Sequence, residues 1–186
     1  MARPIAILGG TFDPVHNAHL AIARAALEAL RAERVLWLPT GTPAYRKAPL
    51  AAAAHRLAML KLALQGEARF AIDERELASG ASGYSYDSVV CLHKEFPGRR
   101  LVLLMGADQY AKRAGWHRWA ELARLCEIAV FARPGWQADA AASTIPFAPQ
   151  AVSASDIRAR IARGEDVSAL LPPAVLGYIR EHRLYR

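Results

Sequence analysis

A doubly wound α/β sheet is the fold predicted by three features of this 186-residue sequence. Short, unbroken apolar runs recur along the chain. Helical periodicity fills the intervals between them. Glycine, proline and titratable residues collect where the runs end. Strands buried on both faces read as continuous apolar runs, and parallel neighbours need a crossover helix, so the alternation points to a parallel sheet covered on both sides.

In order, the predicted strands are Ile5–Leu8, Val35–Leu38, a weaker Phe70–Ile72, Leu101–Met105 and Ile128–Ala132. The predicted helices are Ala18–Arg31, His55–Leu64, Ser85–Glu95 and Trp119–Leu125. Beyond the fifth strand the pattern changes. "AASTIPFAPQAVSASDIRARIARG" reads as a loop or short strand followed by a helix. "PPAVLGYIREH" reads as a second helix with Pro173 near its first turn, where a missing N–H is tolerated. No internal repeat and no linker divides the chain. Residues 1–186 are therefore expected to form one domain: a Rossmann-like sheet with helices on both faces and a small helical C-terminal part.

Apolar residues make up 53% of the chain and charged residues 22%, the balance of an ordinary globule. The net charge of +7 fits an anionic partner such as a nucleotide, a nucleic acid or another phosphate, and it fits equally well Arg-rich helix faces that keep the chain soluble. Cys91 and Cys126 show neither metal spacing nor a disulfide framework, as expected in a reducing cytosol. The apolar run near the N-terminus is too short for a signal peptide, and none approaches the roughly 18 residues of a membrane span. A cytoplasmic chain with no membrane partner is expected.

Ligands of open parallel sheets bind beyond the carboxyl ends of the strands, which directs attention to Gly9–His19, Pro39–Lys47, Gly106–Asp108 and Arg133–Gly135. The first of these, "GGTFDPVHNAHL", is the most unusual. Gly9 and Gly10 let a ligand approach the main chain. The helix that follows offers unpaired N–H groups and the positive end of its dipole, both favourable to phosphate. With Asn17 as N-cap, His16 would precede the helix and His19 would occupy its first turn, both able to reach one phosphate. There is no Walker loop and no G-x-G-x-x-G. A zinc site would need a third ligand that the neighbouring sequence does not supply, so no dedicated metal site is expected. Near the C-terminus, Ser153 or Ser155 can cap a helix that offers a second anion site, with Arg158 one turn inside.

These segments carry a resemblance. "GGTFDPVHNAHL" resembles the H-x-G-H signature of the nucleotidylyltransferase superfamily. "PTGTPAYRKAP", "HRLAM", "SGYSYDSV", "GADQYAKRAGWHRW", "FARPG", "VSASDIR" and "LPPAVLGYIREHRLY" follow in the order found in bacterial nicotinate-nucleotide adenylyltransferases. The resemblance implies that ATP and nicotinate mononucleotide are joined to nicotinate adenine dinucleotide, a step of NAD synthesis, with release of pyrophosphate. It implies direct in-line attack of the mononucleotide's phosphate on the ATP α-phosphorus, without a covalent intermediate. Mg²⁺ would be carried with ATP.

By the same resemblance, His16, His19, Lys47 and Arg158 are the catalytic candidates. ATP would be held by Gly9, Gly10, Thr11, Phe12, His16, His19, Gly106, Asp108, Arg133, Ser153, Ser155 and Arg158. The nicotinate nucleotide would be held by Tyr84, Ser85 and Trp116, with Lys47 shared between the substrates; Trp119 is left to the core. Three departures stand out. Ala18 replaces the usual Gly of H-x-G-H, Tyr45-Arg46 stands where the family often has Pro-His, and Ser155 replaces Thr. Nicotinamide mononucleotide is the alternative substrate within the same chemistry. Phosphopantetheine fits less well, because the enzymes that use it usually carry Thr at the position of His16. A nucleotide- or RNA-binding module without turnover would need exposed aromatics interleaved with basic residues on a sheet. No such segment is present, and no nucleic-acid partner is expected.

Overall fold

The computed structural model describes residues 2–41, 48–132, 135–136, 143–148 and 152–186. Among these, the strands β1 (Ile5–Gly10), β2 (Arg34–Pro39), β3 (Phe70–Ile72), β4 (Leu101–Gly106), β5 (Glu127–Phe131) and β6 (Ser143–Ile145) form one sheet in the order β3-β2-β1-β4-β5-β6. Every neighbouring pair is parallel. The helices are α1 (Asn17–Ala29), α2 (Ala53–Ala63), α3 (Ser85–Glu95), α4 (Ala107–Tyr110), α5 (Trp119–Leu125), α6 (Ala154–Ala162) and α7 (Pro173–Glu181). The fold is the Rossmann-like α/β sheet that the apolar runs predict. None of the described helices is long and apolar enough to cross a membrane.

Alternate residues of each strand face opposite layers, as the two-residue period of a strand requires. Ala6 and Leu8 of β1, Val35 and Trp37 of β2, and Val102 and Leu104 of β4 pack with apolar residues of α1, α2, α6 and α7. Ile5 and Ile7, Leu36 and Leu38, and Leu101, Leu103 and Met105 pack with Val89 and Leu92 of α3 and Leu122 of α5. Trp119 lies at the edge of this second layer, as assigned, with Trp116 and Tyr110 beside it.

The differences from expectation lie at element ends. β1 runs on through Gly9 and Gly10, which pair with Leu38 and Pro39, because the backbone ladder continues where side-chain hydrophobicity stops. β4 likewise includes Gly106. β5 starts at Glu127, whose carboxylate meets Arg100 at the exposed foot of β4, and ends before Ala132. α1 stops at Ala29 rather than Arg31, since Arg31 takes a left-handed backbone (φ 48°) that closes the helix. The outer edge is the short β6, the strand left open against a loop in the sequence.

The strand order reverses direction between β1 and β4. A crevice opens at the carboxyl ends of these two strands, where doubly wound sheets place their ligands.

Candidate active site

Two cavities meet the chain at the tip of β1, at the consecutive residues Gly10 and Thr11. The first, of about 480 Å³, is lined by Thr11, Phe12, Asp13 and His19 from the turn into α1, by Ala48–Leu50, and by Ala154, Ser155 and Arg158 of α6. The second, of about 460 Å³, is lined by Gly9 and Gly10, by Thr40 after β2, by Glu76, Gly83 and Ser85, and by Gln109, Lys112 and Trp116.

The first cavity takes its shape from the turn between β1 and α1. Phe12 has a left-handed backbone (φ 48°) and drives its ring inward, against Trp37 on one side and the edge of His19 on the other. A Cβ on Gly10 would stand 2.9 Å from that phenyl ring, so Gly10 is needed for Phe12 to fold under the strand. A Cβ on Gly9 would meet nothing within 4 Å. Of the two glycines, only Gly9 leaves open space that a ligand could fill.

The N-cap of α1 is His16, not Asn17. Asn17 is withdrawn from that role because its backbone N–H donates to the Leu170 carbonyl at 2.9 Å and its side-chain amide to the Ala169 carbonyl at 3.0 Å, tying the start of α1 to the segment before α7. The His16 backbone N–H donates to Nδ1 of His19 at 3.2 Å. In the neutral ring this puts the proton of His19 on Nε2. The two imidazoles stack with centroids 3.7 Å apart and planes 27° from parallel. His19 lines the cavity, whereas His16, only 2% exposed, lies against it as a supporting ring.

Opposite His19, Ser153 caps α6 by accepting from the Asp156 N–H at 3.1 Å, and the Ser155 hydroxyl lies 3.0 Å from that of Ser153. Arg158 lines the cavity and spends one of its nitrogens on the Asp13 carbonyl, at 2.6 Å. The first cavity thus brings together Thr11, Phe12, His19, Ser155 and Arg158. The Phe12 ring, however, belongs to the core and leaves its backbone nearest the cavity.

The second cavity brings together Gly9, Gly10, Ser85 and Trp116. Ser85 opens α3, with Tyr84 as its N-cap, so the main-chain N–H groups of a helix start face this side of the sheet. Tyr84 stacks on His117, centroids 4.2 Å apart. Trp116 follows a 3-10 turn (Arg113–Gly115) and is half-buried, with one edge against Trp119. Gly106 is the N-cap of α4 at the end of β4, which puts Asp108 in the first turn of that helix rather than at its cap. Lys47 and Arg133, along with Tyr45 and Arg46, lie outside the described residues.

Three residues that organise the site are not singled out by sequence. Arg56 of α2, with no exposed surface, donates to the carbonyls of Thr11 and Thr40, each at 2.7 Å, and to that of Ala51 at 3.3 Å. Burial lowers its pKa, and the nearby Asp13 partly restores it. Asp13 itself accepts from Leu50 N–H (2.8 Å), Ala51 N–H (3.2 Å) and the Tyr185 hydroxyl (2.7 Å). Among the described residues no three His, Cys, Asp or Glu side chains converge as metal ligands do.

A doubly wound sheet with an imidazole, a guanidinium and two helix starts turned to the crevice is the frame of a phosphate-handling protein. Residues 7–160 match the cytidylyltransferase-like family, which sets the class as nucleotidyltransferase. Two curated proteins, each named "Probable nicotinate-nucleotide adenylyltransferase", match over nearly the whole chain. The one from Laribacter hongkongensis is 42% identical, covering 98% of this chain and 94% of its own. The one from Bordetella petrii is 43% identical, covering 99% and 100%. The chain therefore belongs to the nicotinate-nucleotide adenylyltransferase family. The same fold appears in a solved structure of Plasmodium falciparum nicotinic acid mononucleotide adenylyltransferase complexed with NaAD. That chain is 16% identical, with a TM-score of 0.87, and the match covers 99% of this chain and 98% of that one.

Proposed function

We propose that the chain, acting as one catalytic unit, transfers the adenylyl group of ATP to nicotinate mononucleotide in NAD synthesis, giving nicotinate adenine dinucleotide and pyrophosphate. The observation that carries this reading is the His19 ring. The His16 N–H holds its Nδ1 and the stacked His16 ring holds its plane, in a cavity also lined by Ser155 and Arg158. Such a cavity suits a triphosphate, and the neighbouring one, walled by Trp116 and the start of α3, suits a pyridine ring bearing a carboxylate.

In this reading the mononucleotide's phosphate oxygen attacks the ATP α-phosphorus in line, and the bond to the bridging oxygen of pyrophosphate breaks. The protein forms no covalent bond to the substrate. It positions two anions against each other and stabilises the charge that grows on the phosphoryl oxygens. His19 Nε2–H and the Arg158 guanidinium donate to those oxygens, the start of α6 adds its dipole, and His16 holds the plane of the His19 ring. Gly106 and Asp108 take the adenosine ribose. Tyr84 and Ser85 take the nicotinate carboxylate, and Trp116 stacks on the ring. Lys47 and Arg133 add cations at the phosphates and the adenine edge.

Asp13 is the one carboxylate lining the phosphate cavity among the described residues, and its oxygens already accept three hydrogen bonds. That donor set fits Mg²⁺ held by the triphosphate and water rather than by a protein cage. When bound, the ion would neutralise charge on the departing pyrophosphate. The reading assigns the enzyme to the cytoplasm, with ATP and the mononucleotide as partners.

Pyrophosphate release measured with ATP and, in turn, nicotinate mononucleotide, nicotinamide mononucleotide or phosphopantetheine tests the reading. Turnover is expected to be fastest with the first. Release with none of them would leave a nucleotide-binding module without catalysis.

A further inference from the structure

Near the site, one partly buried polar group that the reaction leaves unused belongs to the C-terminal tail. Tyr185, the penultimate residue, donates its hydroxyl to Asp13 Oδ1 at 2.7 Å across nearly the full length of the sequence. The tail has a left-handed backbone at both Arg183 (φ 51°) and Tyr185 (φ 65°). At Arg183 this closes α7, as Arg31 closes α1, and at Tyr185 it turns the last ring back towards the turn after β1. Burial and the adjacent Asp13 carboxylate both push the phenol pKa up, which keeps it a neutral donor.

The bond does little for the sheet. What it completes is the set of donors around one carboxylate that is 3% exposed. The other donors are the Leu50 and Ala51 N–H groups, which fix the entry to α2, and the Asp13 carbonyl receives Arg158 at 2.6 Å. Asp13 therefore sets where Arg158 stands and how the turn carrying Phe12, His16 and His19 is held.

We propose that Tyr185 is a positioning residue, which acts through Asp13 to hold Arg158 and the turn into α1 in register for transfer. This rests on the adenylyl-transfer reading above. If it holds, Y185F, which keeps the ring and removes the hydroxyl, lowers kcat about tenfold with the KM for ATP changed less than about twofold and only a small shift in melting temperature. In a D13N background the same change costs less than about twofold, because the group it acts through is already altered.

A kcat for Y185F within about twofold of the unmodified chain would overturn the proposal. So would full additivity with D13N, or a loss of activity that merely follows a collapse of the fold. Should the unmodified chain release no pyrophosphate at all, the reaction itself has failed. The tail is then read by amide exchange: Y185F is expected to speed exchange at Leu50, Ala51 and the start of α1, and unchanged protection there refutes the link.

Discussion

Removing the Arg56 guanidinium is expected to damage the site from beneath, without touching a substrate. Arg56→Met keeps the stem and the apolar packing but deletes donors to three carbonyls. Two of these, on Thr11 and Thr40, accept at 2.7 Å from one nitrogen, and they belong to the segments leaving β1 and β2. A buried carbonyl left without a donor costs about 1–3 kcal/mol. Part of that is offset, because the variant no longer holds a fully buried cation away from water. The net loss should be about 2–4 kcal/mol. For a chain of this length each kcal/mol moves the melting midpoint by about 2–4 °C, so a fall of roughly 10 °C is expected. Arg56→Lys should recover only part of it, since one ammonium on a narrower reach cannot serve carbonyls on three segments. Calorimetric or circular-dichroism melts of both variants measure this directly. If Arg56→Met melted within about 2 °C of the unmodified chain, the three carbonyls would have other partners, and the view that α2 ties the two strand ends together would be wrong.

Other expectations concern the site itself. His19→Ala should lower kcat by about 10²–10³-fold with the fold intact; an effect confined to KM would make His19 a ground-state ligand only. Gly9→Ala and Gly10→Ala should separate binding from folding. The first places a methyl in open space, so substrate affinity should fall at unchanged melting temperature. The second drives a methyl to 2.9 Å from the Phe12 ring, with a stability loss of about 1–3 kcal/mol. Trp116→Ala should raise the KM for the mononucleotide and leave that for ATP nearly unchanged; equal effects on both would move the stacking role elsewhere. Burial pushes the Cys126 thiol from its ordinary 9.0 up to about 12, whereas Cys91 is exposed. One thiol per folded chain should therefore react with a maleimide at neutral pH, and two after unfolding. The unfolded thiol ionises from about pH 9 while the folded one stays protonated, so this contribution to stability is complete below pH 9 and is lost as pH climbs towards 12.

The sheet was legible because its strands are covered on both faces and carry unbroken apolar runs; only their ends escaped. Gly9, Gly10 and Gly106 extend strands through backbone pairing that hydrophobicity does not record. His16 displaces Asn17 as the cap for a related reason: the amide of Asn17 is drawn to Ala169, far away in sequence. Within the site, the strand–helix turn and the start of α6 declared themselves through residue types suited to phosphate. Arg56 and Tyr185 did not. An arginine in an alanine-rich helix and a tyrosine near a chain end look like surface residues until tertiary packing shows that one has no exposed area and the other meets Asp13. The Asp-Pro step in the opening motif was the one available signal, because a carboxylate in a tight turn beside an apolar run needs donors from somewhere.

The two halves of the crevice are built on different principles, and this determines how each should respond to change. The half proposed for the pyridine ring draws Ser85 and Trp116 from separate local segments, each shaped by its own helix start or short turn, and each can vary without disturbing the other. The half proposed for the phosphates is assembled from four distant stretches: the turn into α1, the entry to α2, α6 and the C-terminal tail. Buried polar bonds through Asp13 and Arg56 hold them together. Buried polar bonds of this kind fix one geometry, and removing one member leaves its partners buried without a donor or acceptor. Substitutions that retune the mononucleotide preference should therefore be tolerated around Ser85 and Trp116. Those around Asp13, Arg56, Arg158 and Tyr185 should reduce turnover for every acceptor alike.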